Sequence, residues 1–312
     1  MEHRRLGRSG LKVSEVGIGC NNFGGRCDRA QTKAVVDAAI AAGVTLFDTA
    51  DVYGNQQSEV LLGEALGKRR PQVVIATKFA MPMGQTVHDR GGSRRYILAA
   101  VEASLRRLGT DYIDLYQMHA PDPDTPIDET LDTLDAVVRQ GKVRYIGNSN
   151  FSGWQIADAD WTARAAHRTP FVSAQNHYSL LERGVETEVL GACERFGLGM
   201  LPFFPLASGM LTGKYRRNEA PPQGTRLATV GRLAERALNE RNFSIVEKLT
   251  DFAAQRDHKL IDVAFGWLLA KPVISSVIAG ATSAEQVEAN VAASTWRMSA
   301  EDVAAVDAIA KR

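Results

Sequence analysis

Val16-Gly17-Ile18-Gly19-Cys20-Asn21-Asn22 is the stretch on which the fold turns. Its first four residues are small or apolar and show no hydrophobic–polar alternation. That is the pattern of a short strand buried on both faces of a parallel sheet. In an open doubly wound sheet, two such glycines would begin the phosphate fingerprint G-x-G-x-x-G. Here Gly17-x-Gly19 runs into Cys20-Asn21-Asn22, and the fingerprint fails. A closed barrel is therefore the expected alternative.

Working outward, similar runs recur at residues 45–48, 73–78, 113–119, 143–148, 172–175, 200–203 and 276–279. Most are rich in Val, Ile and Leu. Helix-like stretches alternate with them at 32–42, 58–66, 93–108, 127–140, 187–196, 239–255 and 261–269. In the 93–108 stretch, Ile97, Val101, Ser104, Leu105 and Leu108 fall on one helical face. Pro126 suits the start of the 127–140 helix. Residues 3–19 contain Gly7, Gly10 and short alternating stretches, and read as a hairpin leading into the first barrel strand. Eight strands alternating with helices predict an α/β fold, a (β/α)₈ TIM barrel with an N-terminal β-hairpin and extra C-terminal helices. Segment spacing is even and no Ser/Gly linker interrupts it. One barrel domain over residues 1–312 is expected. Residues 215–233 hold Pro221 and Pro222 among several charges and read as a long loop, a class that is often functional.

Bulk properties narrow the function. The 312 residues are 45% hydrophobic and 23% charged, as in a water-soluble globular chain. With 37 basic and 36 acidic side chains the net charge is +1, leaving no basic excess for a nucleic acid. Cys20, Cys27 and Cys193 form no CxxC pair, which favours a reduced compartment. The N-terminus leads into no apolar signal segment, and residues 261–280 are interrupted by Asp262, Lys271 and Pro272. A cytoplasmic protein without a membrane partner is expected. Six histidines without HxH or HExxH spacing argue against a metal-dependent barrel hydrolase, and no metal is expected.

Barrel enzymes place their chemistry where the strands end. The second strand ends at Asp48, the third at Lys78 and the fourth at His119; Tyr53 follows in the loop after Asp48. Each residue alone has an ordinary explanation as a cap, a solvated charge or a packed ring. Together they place a carboxylate, an ammonium, a phenol and an imidazole at one rim. A phenol titrates at about 10, too high for efficient acid–base work near neutrality. A nearby ammonium lowers that value by roughly 1–3 units, so Lys78 is expected to acidify Tyr53. Asp48 would keep Lys78 charged, and His119 would hydrogen-bond the substrate oxygen. This set protonates an oxygen on which negative charge develops. No side chain supplies a hydride, which implies a nicotinamide cofactor.

These residues lie in motifs that resemble the aldo-keto reductase superfamily from end to end. They are Leu46-Phe47-Asp48-Thr49-Ala50-x-x-Tyr53-Gly54, Ser58-Glu59-x-x-Leu62-Gly63, Ala76-Thr77-Lys78, Leu105-x-x-Leu108-x-x-Asp111-Tyr112-Ile113-Asp114-Leu115, His119 and Gly147-Asn148-Ser149-Asn150-Phe151. Pro205-Leu206-Ala207-x-Gly209-x-Leu211-Thr212-Gly213-Lys214-Tyr215 and Gly280-Ala281-Thr282-x-x-x-Gln286-x-x-x-Asn290 complete the series. The resemblance implies a (β/α)₈ barrel, NADPH as hydride donor, a small-molecule aldehyde or ketone as substrate, and a tetrad of Asp48, Tyr53, Lys78 and His119 with Tyr53 as general acid. By the same resemblance Ser149, Asn150 and Gln175 contact the nicotinamide amide and Phe203 stacks on its ring. Phe204, Pro205, Leu206, Ser208 and Gly209 wrap the pyrophosphate, with Lys214 and Arg226 as phosphate cations. Gly19, Cys20 and Asn21 approach the cofactor from the first strand, beside Asp48. Gly280, Thr282, Gln286 and Asn290 surround the adenosine. Some branches carry Lys and Arg where this chain has Gly280 and Gln286, so fewer charges await a 2′-phosphate there. NADPH remains the expected donor. Asn22, Phe79 and Phe151, with Phe23 and Met81, are the expected substrate wall. The alternative is a nucleotide-binding regulatory or redox-sensing protein on the same barrel with little turnover, like the potassium-channel β subunits this sequence also resembles.

Overall fold

The computed structural model describes residues 1–311. Strands β1 (His3–Arg5) and β2 (Lys12–Ser14) pair antiparallel, with His3 opposite Ser14. Gly7 turns between them at φ +55°, and a Cβ there would lie 2.5–2.6 Å from Gly197 O, Gly199 N and Val172 O. The hairpin is thus pressed against the barrel end at which the strands begin, away from the rim that carries chemistry.

Eight parallel strands follow: β3 (Val16–Gly19), β4 (Leu46–Asp48), β5 (Val74–Phe79), β6 (Ile113–Met118), β7 (Val143–Ser149), β8 (Ser173–Gln175), β9 (Gly199–Met200) and β10 (Val277–Gly280). Their order is β10-β3-β4-β5-β6-β7-β8-β9. The ring closes between β9 and β10 through parallel bridges Met200–Ile274 and Phe203–Ile278. Across that seam Met200 N donates to Val273 O at 2.8 Å and Ile278 N to Pro202 O at 3.0 Å. The architecture is the expected (β/α)₈ barrel with an N-terminal hairpin. The run at 200–203 yields a strand of only two residues, because Pro202 has no N–H to give the ladder.

The strands lack polar alternation because both of their faces are buried. Leu46, Val74, Ala76, Leu115, Leu201 and Ile278 fill the barrel interior with Leu6 and Val13 of the hairpin. Val16, Ile18, Phe47, Ile75, Phe79, Tyr116, Met118 and Ile146 face outward into a larger core under the helices. Those helices are α1 (Arg29–Ala41), α2 (Gln57–Leu66), α3 (Arg94–Leu108), α4 (Ile127–Arg139), α5 (Gly153–Ala165), α6 (Val189–Phe196), α7 (Arg226–Thr229), α8 (Gly231–Ala237), α9 (Glu240–Ala254), α10 (Leu260–Leu269), α11 (Ala284–Ala293) and α12 (Ala300–Ile309). Capping boxes at Asp28/Gln31 and Ser152/Gln155 start α1 and α5 by satisfying N–H groups that the first turn leaves free. On α3 the expected face is the buried one, with Ile97, Val101, Ser104, Leu105 and Leu108 inside.

The segment expected as a loop at 215–233 is corrected in part, since it contains α7 and the first three residues of α8. Only Leu227 is buried in these two helices, so there is no apolar stripe for periodicity to find. No helix among the described residues is long and apolar enough to cross a membrane.

Candidate active site

The Asp48-to-Ser58 motif folds as a turn tied at both ends. Thr49 and Ser58 hydroxyls lie 2.8 Å apart, and Ser58 Oγ donates to Cys20 O at 2.8 Å. This links the exit of β4 to the exit of β3. Gly54 sits at φ +56°, where a Cβ would stand 2.3 Å from Phe23 O, so only glycine fits the close crossing of the two loops. The turn delivers Tyr53 back over the rim.

At that rim Lys78, fully buried, donates to Asp48 Oδ2 at 2.7 Å, to Thr49 O at 2.8 Å and to Tyr53 Oη at 3.4 Å. Asp48 Oδ1 accepts from Gln175 Nε2 at 2.8 Å and from Gln117 Nε2 at 3.2 Å. Both carboxylate oxygens are therefore engaged, which compensates the burial of the charge pair. The His119 ring meets the Tyr53 ring edge-on, with centroids 5.6 Å apart. Its backbone is pinned by His119 N to Phe79 O at 2.9 Å and by Asn150 Nδ2 donating to His119 O at 2.9 Å. Asn150 holds that pose at φ +61°, a conformation asparagine tolerates.

Protonation follows from burial. Desolvation pushes the Tyr53 phenol above its ordinary value; Asp48 adds to this, and Lys78 pulls against it without winning. The expectation that Lys78 makes the phenol more acidic than usual is not met: the ammonium pulls the value down, but a phenolate here would have lost its water, and burial wins. Burial also pulls the Lys78 ammonium down, and Asp48 with Tyr53 more than restores it, leaving it above its usual value. His119 is pushed down to about 3 by burial and then by Lys78, so its ring is neutral.

Above this group opens a cavity of about 650 Å³. Asp48, Tyr53 and His119 line it, as do Gly19, Asn21, Asn22, Ser149, Asn150, Gln175, Phe203, Phe204, Pro205, Leu206, Ser208, Gly209, Lys214, Arg226, Gly280, Thr282, Gln286 and Asn290. Phe203 stacks on His177 at 5.4 Å, and the Arg226 guanidinium lies 5.1 Å over the Phe204 ring. Between Phe204 and Gly209 the chain is left-handed at Phe204, Ala207, Ser208 and Gly209, the kind of backbone that forms anion-binding concavities. A Cβ on Gly209 would lie 2.8 Å from Lys214 Nζ, so the glycine lets the ammonium lie against this turn.

Of the expected contact positions, Phe79, Phe151, Cys20, Phe23 and Met81 do not line the cavity. Phe79 is fully buried and stacks on Tyr116 at 4.7 Å, because its place in β5 points it outward under the helices. Phe151 is 2% exposed and packs edge-on against Phe171. Cys20 is buried in the outer core with Sγ toward Ile18 O, and only its backbone reaches the rim turn, its N–H donating to Asp48 O at 2.8 Å and its carbonyl accepting from Ser58 Oγ. Phe23 is likewise core. Sequence reading missed Arg26, Thr212, Ile261 and Ala289, which do line the cavity. A charged residue after Gly24-Gly25, in the loop leaving β3, was the available signal for Arg26.

The donor set suits a dinucleotide. Asn290 is 3% exposed and lines the cavity, and its Nδ2 has no partner among the described residues. A buried donor left unpaired is costly, and an adenosine acceptor would satisfy it. Arg26, Lys214 and Arg226 bring positive charge to the same space.

Comparison with known proteins agrees with this geometry. A family model described as "Aldo/keto reductase family" matches residues 15–311. The chain is 38% identical to the "Uncharacterized oxidoreductase YrpG" of Bacillus subtilis, over 94% of this chain and 91% of the relative. It is 37% identical to a "Probable voltage-gated potassium channel subunit beta" of Oryza sativa subsp. japonica, over 94% and 91%. It is 33% identical to the "L-glyceraldehyde 3-phosphate reductase" of Escherichia coli, over 98% and 92%.

Proposed function

Since the chain belongs to the aldo/keto reductase family, we propose that it is a cytoplasmic, NADPH-dependent reductase of aldehyde or ketone carbonyls, built as one domain, with Tyr53 as general acid. The observation that carries this reading is Tyr53 Oη at 3.4 Å from the buried Lys78 Nζ, on the wall of a cavity of about 650 Å³ that Lys214 and Arg226 also line.

Ser149, Asn150 and Gln175 would hold the nicotinamide amide, since these groups offer both donors and acceptors. Phe203 would stack on the ring. Phe204 to Gly209 with Lys214 and Arg226 would hold the phosphates, and Gly280, Thr282, Gln286 and Asn290 the adenosine. When bound, NADPH supplies the hydride that the carbonyl carbon accepts.

The protein's own groups handle the oxygen. Neutral His119 offers an N–H to it and fixes its direction. Tyr53, kept neutral by burial, donates its proton to that oxygen as charge develops there. Lys78 stabilises the phenolate left behind, and Asp48 keeps Lys78 charged and aimed. Asp48 is in turn held by Gln117 and Gln175.

A regulatory role is the second reading, favoured by the 37% identity to the rice protein named as a channel subunit. Loss of NADPH absorbance with a panel of aldehydes and ketones separates the two. Steady turnover supports the reductase. Tight nucleotide binding with no turnover on any carbonyl would transfer the case to the regulatory reading.

A further inference from the structure

His177 lies just past the end of β8, and Phe203 just past the end of β9. The two residues pair as a parallel bridge, with Phe203 N donating to Asn176 O at 3.1 Å and Tyr178 N donating to Phe203 O at 3.3 Å. We infer that His177 is a positioning residue for the nicotinamide end of the cavity: its ring backs the Phe203 ring and fixes the plane that the nicotinamide meets. The inference rests on the function proposed above and deepens it.

The backbone pairing brings both side chains to one side of the ladder. Their rings stack at 15° with centroids 5.4 Å apart, an offset arrangement that aromatic pairs prefer. Phe204 meets both rings edge-on, at 5.5 Å from His177 and 5.4 Å from Phe203. A third ring thus braces the stack against tipping. Phe203 is on the cavity wall and His177 stands behind it. The imidazole therefore acts on a bound molecule through Phe203.

The pair belongs to the tetrad end of the cavity. Gln175 donates to Asp48 Oδ1 at 2.8 Å and is the register partner of Ser149 on β7. The run Gln175-Asn176-His177 thus touches the Asp48–Lys78 pair at one end and Phe203 at the other. Hydride transfer depends on the alignment of donor and acceptor carbons. A ring plane tied by backbone to the residue that holds Asp48 keeps the stacking surface in register with the acid–base groups.

The flat face of His177 is what matters. Burial pulls its imidazole below the ordinary value, with Glu182 pulling the other way, so the ring is neutral near pH 7. Its Nε2 is buried without a partner among the described residues. A nitrogen left unpaired contributes nothing to holding the ring. Stacking on Phe203 and the edge of Phe204 hold it instead.

The test measures binding of NADPH and of 2′,5′-ADP, which shares the adenosine end and has no nicotinamide, by titration calorimetry with no carbonyl present. Wild type is compared with His177→Leu, which removes the flat face, and His177→Phe, which keeps it; thermal unfolding is followed for each. In His177→Leu, NADPH should weaken by about threefold to tenfold, the effect of losing one aromatic stack, while 2′,5′-ADP stays within about twofold. His177→Phe should bind both ligands as wild type does. Should His177→Leu fail to fold, His177→Met makes the same comparison. Equal weakening of both ligands in His177→Leu would overturn the inference, as would unchanged NADPH binding there. So would a His177→Phe variant that unfolds at the wild-type temperature yet binds NADPH as weakly as His177→Leu. A wild-type protein that binds neither ligand removes the nucleotide reading itself, and this inference falls with it.

Discussion

Lys78 Nζ is 2.7 Å from Asp48 Oδ2 and 3.4 Å from Tyr53 Oη, so the ammonium belongs to the carboxylate first and to the phenol second. This ordering fits a phenol that keeps its proton until an acceptor arrives. Tyr53→Phe removes the proton and little else, since Oη is the only atom lost. Carbonyl reduction should fall by about 10²–10⁴-fold, the usual worth of a positioned acid, while the dissociation constant for NADPH stays within about threefold. Turnover within a few-fold of wild type in stopped-flow assays would take the acid role away from Tyr53.

Lys78 tests the same triangle from its other corner. Lys78→Met leaves the Asp48 carboxylate buried without its cation, and breaking such a pair costs on the order of 3–5 kcal/mol. The variant should be both inactive and less stable in urea. Adding Asp48→Asn should restore stability and leave activity absent, because the charge without a partner is gone while the phenolate still lacks its stabiliser. Activity returning with stability in the double variant would show that Lys78 acts only on folding.

The pH profile follows from two buried groups. His119 is pushed down to about 3 by burial and Lys78, so its ring stays neutral throughout the working range. Tyr53 is raised above its ordinary value of about 10, so its proton is in place at neutrality. The reduction kcat/KM should therefore be flat from about pH 5 to 9 and decline only as the phenol ionises. A limb centred near 6.5 would mean that a protonated His119 matters to the rate.

Much of this was legible in sequence, for physical reasons that differ by residue. Asp48, Lys78 and His119 sit at strand ends, where barrel topology alone brings distant positions to one rim. Phe79 was misjudged because it follows Lys78 by one residue, and successive side chains on a strand face opposite ways. The inward Lys78 therefore dictates an outward Phe79. Arg26 was missed because its neighbours come from α7 and the segment before it, where no periodicity fixes the path. Tyr53's raised phenol was illegible because desolvation depends on depth, and sequence gives the partner but not the burial.

Asp51 offers a last test of that depth. It lies two residues before Tyr53, is 1% exposed, and accepts from Tyr96 Oη at 3.3 Å. Its backbone N–H donates to Lys78 O at 3.2 Å, so the residue is clamped beside the tetrad. Burial, and then Glu59, raise its carboxyl to about 7. A raised folded-state value means the folded protein binds this proton more tightly than the unfolded chain, whose carboxyl titrates near 3.9. The resulting stability is present below the unfolded value and is lost as pH climbs toward about 7. His119 runs the other way, with stability lost as pH falls from about 6.5 toward 3. Asp51→Asn keeps the shape and abolishes only the first effect. The variant should gain on wild type by on the order of 2–3 kcal/mol between about pH 5 and pH 8 in urea unfolding. A difference that stays constant across that range would mean that Asp51 is ionised in the folded protein, held so by the Arg107 guanidinium against the repulsion of Glu59.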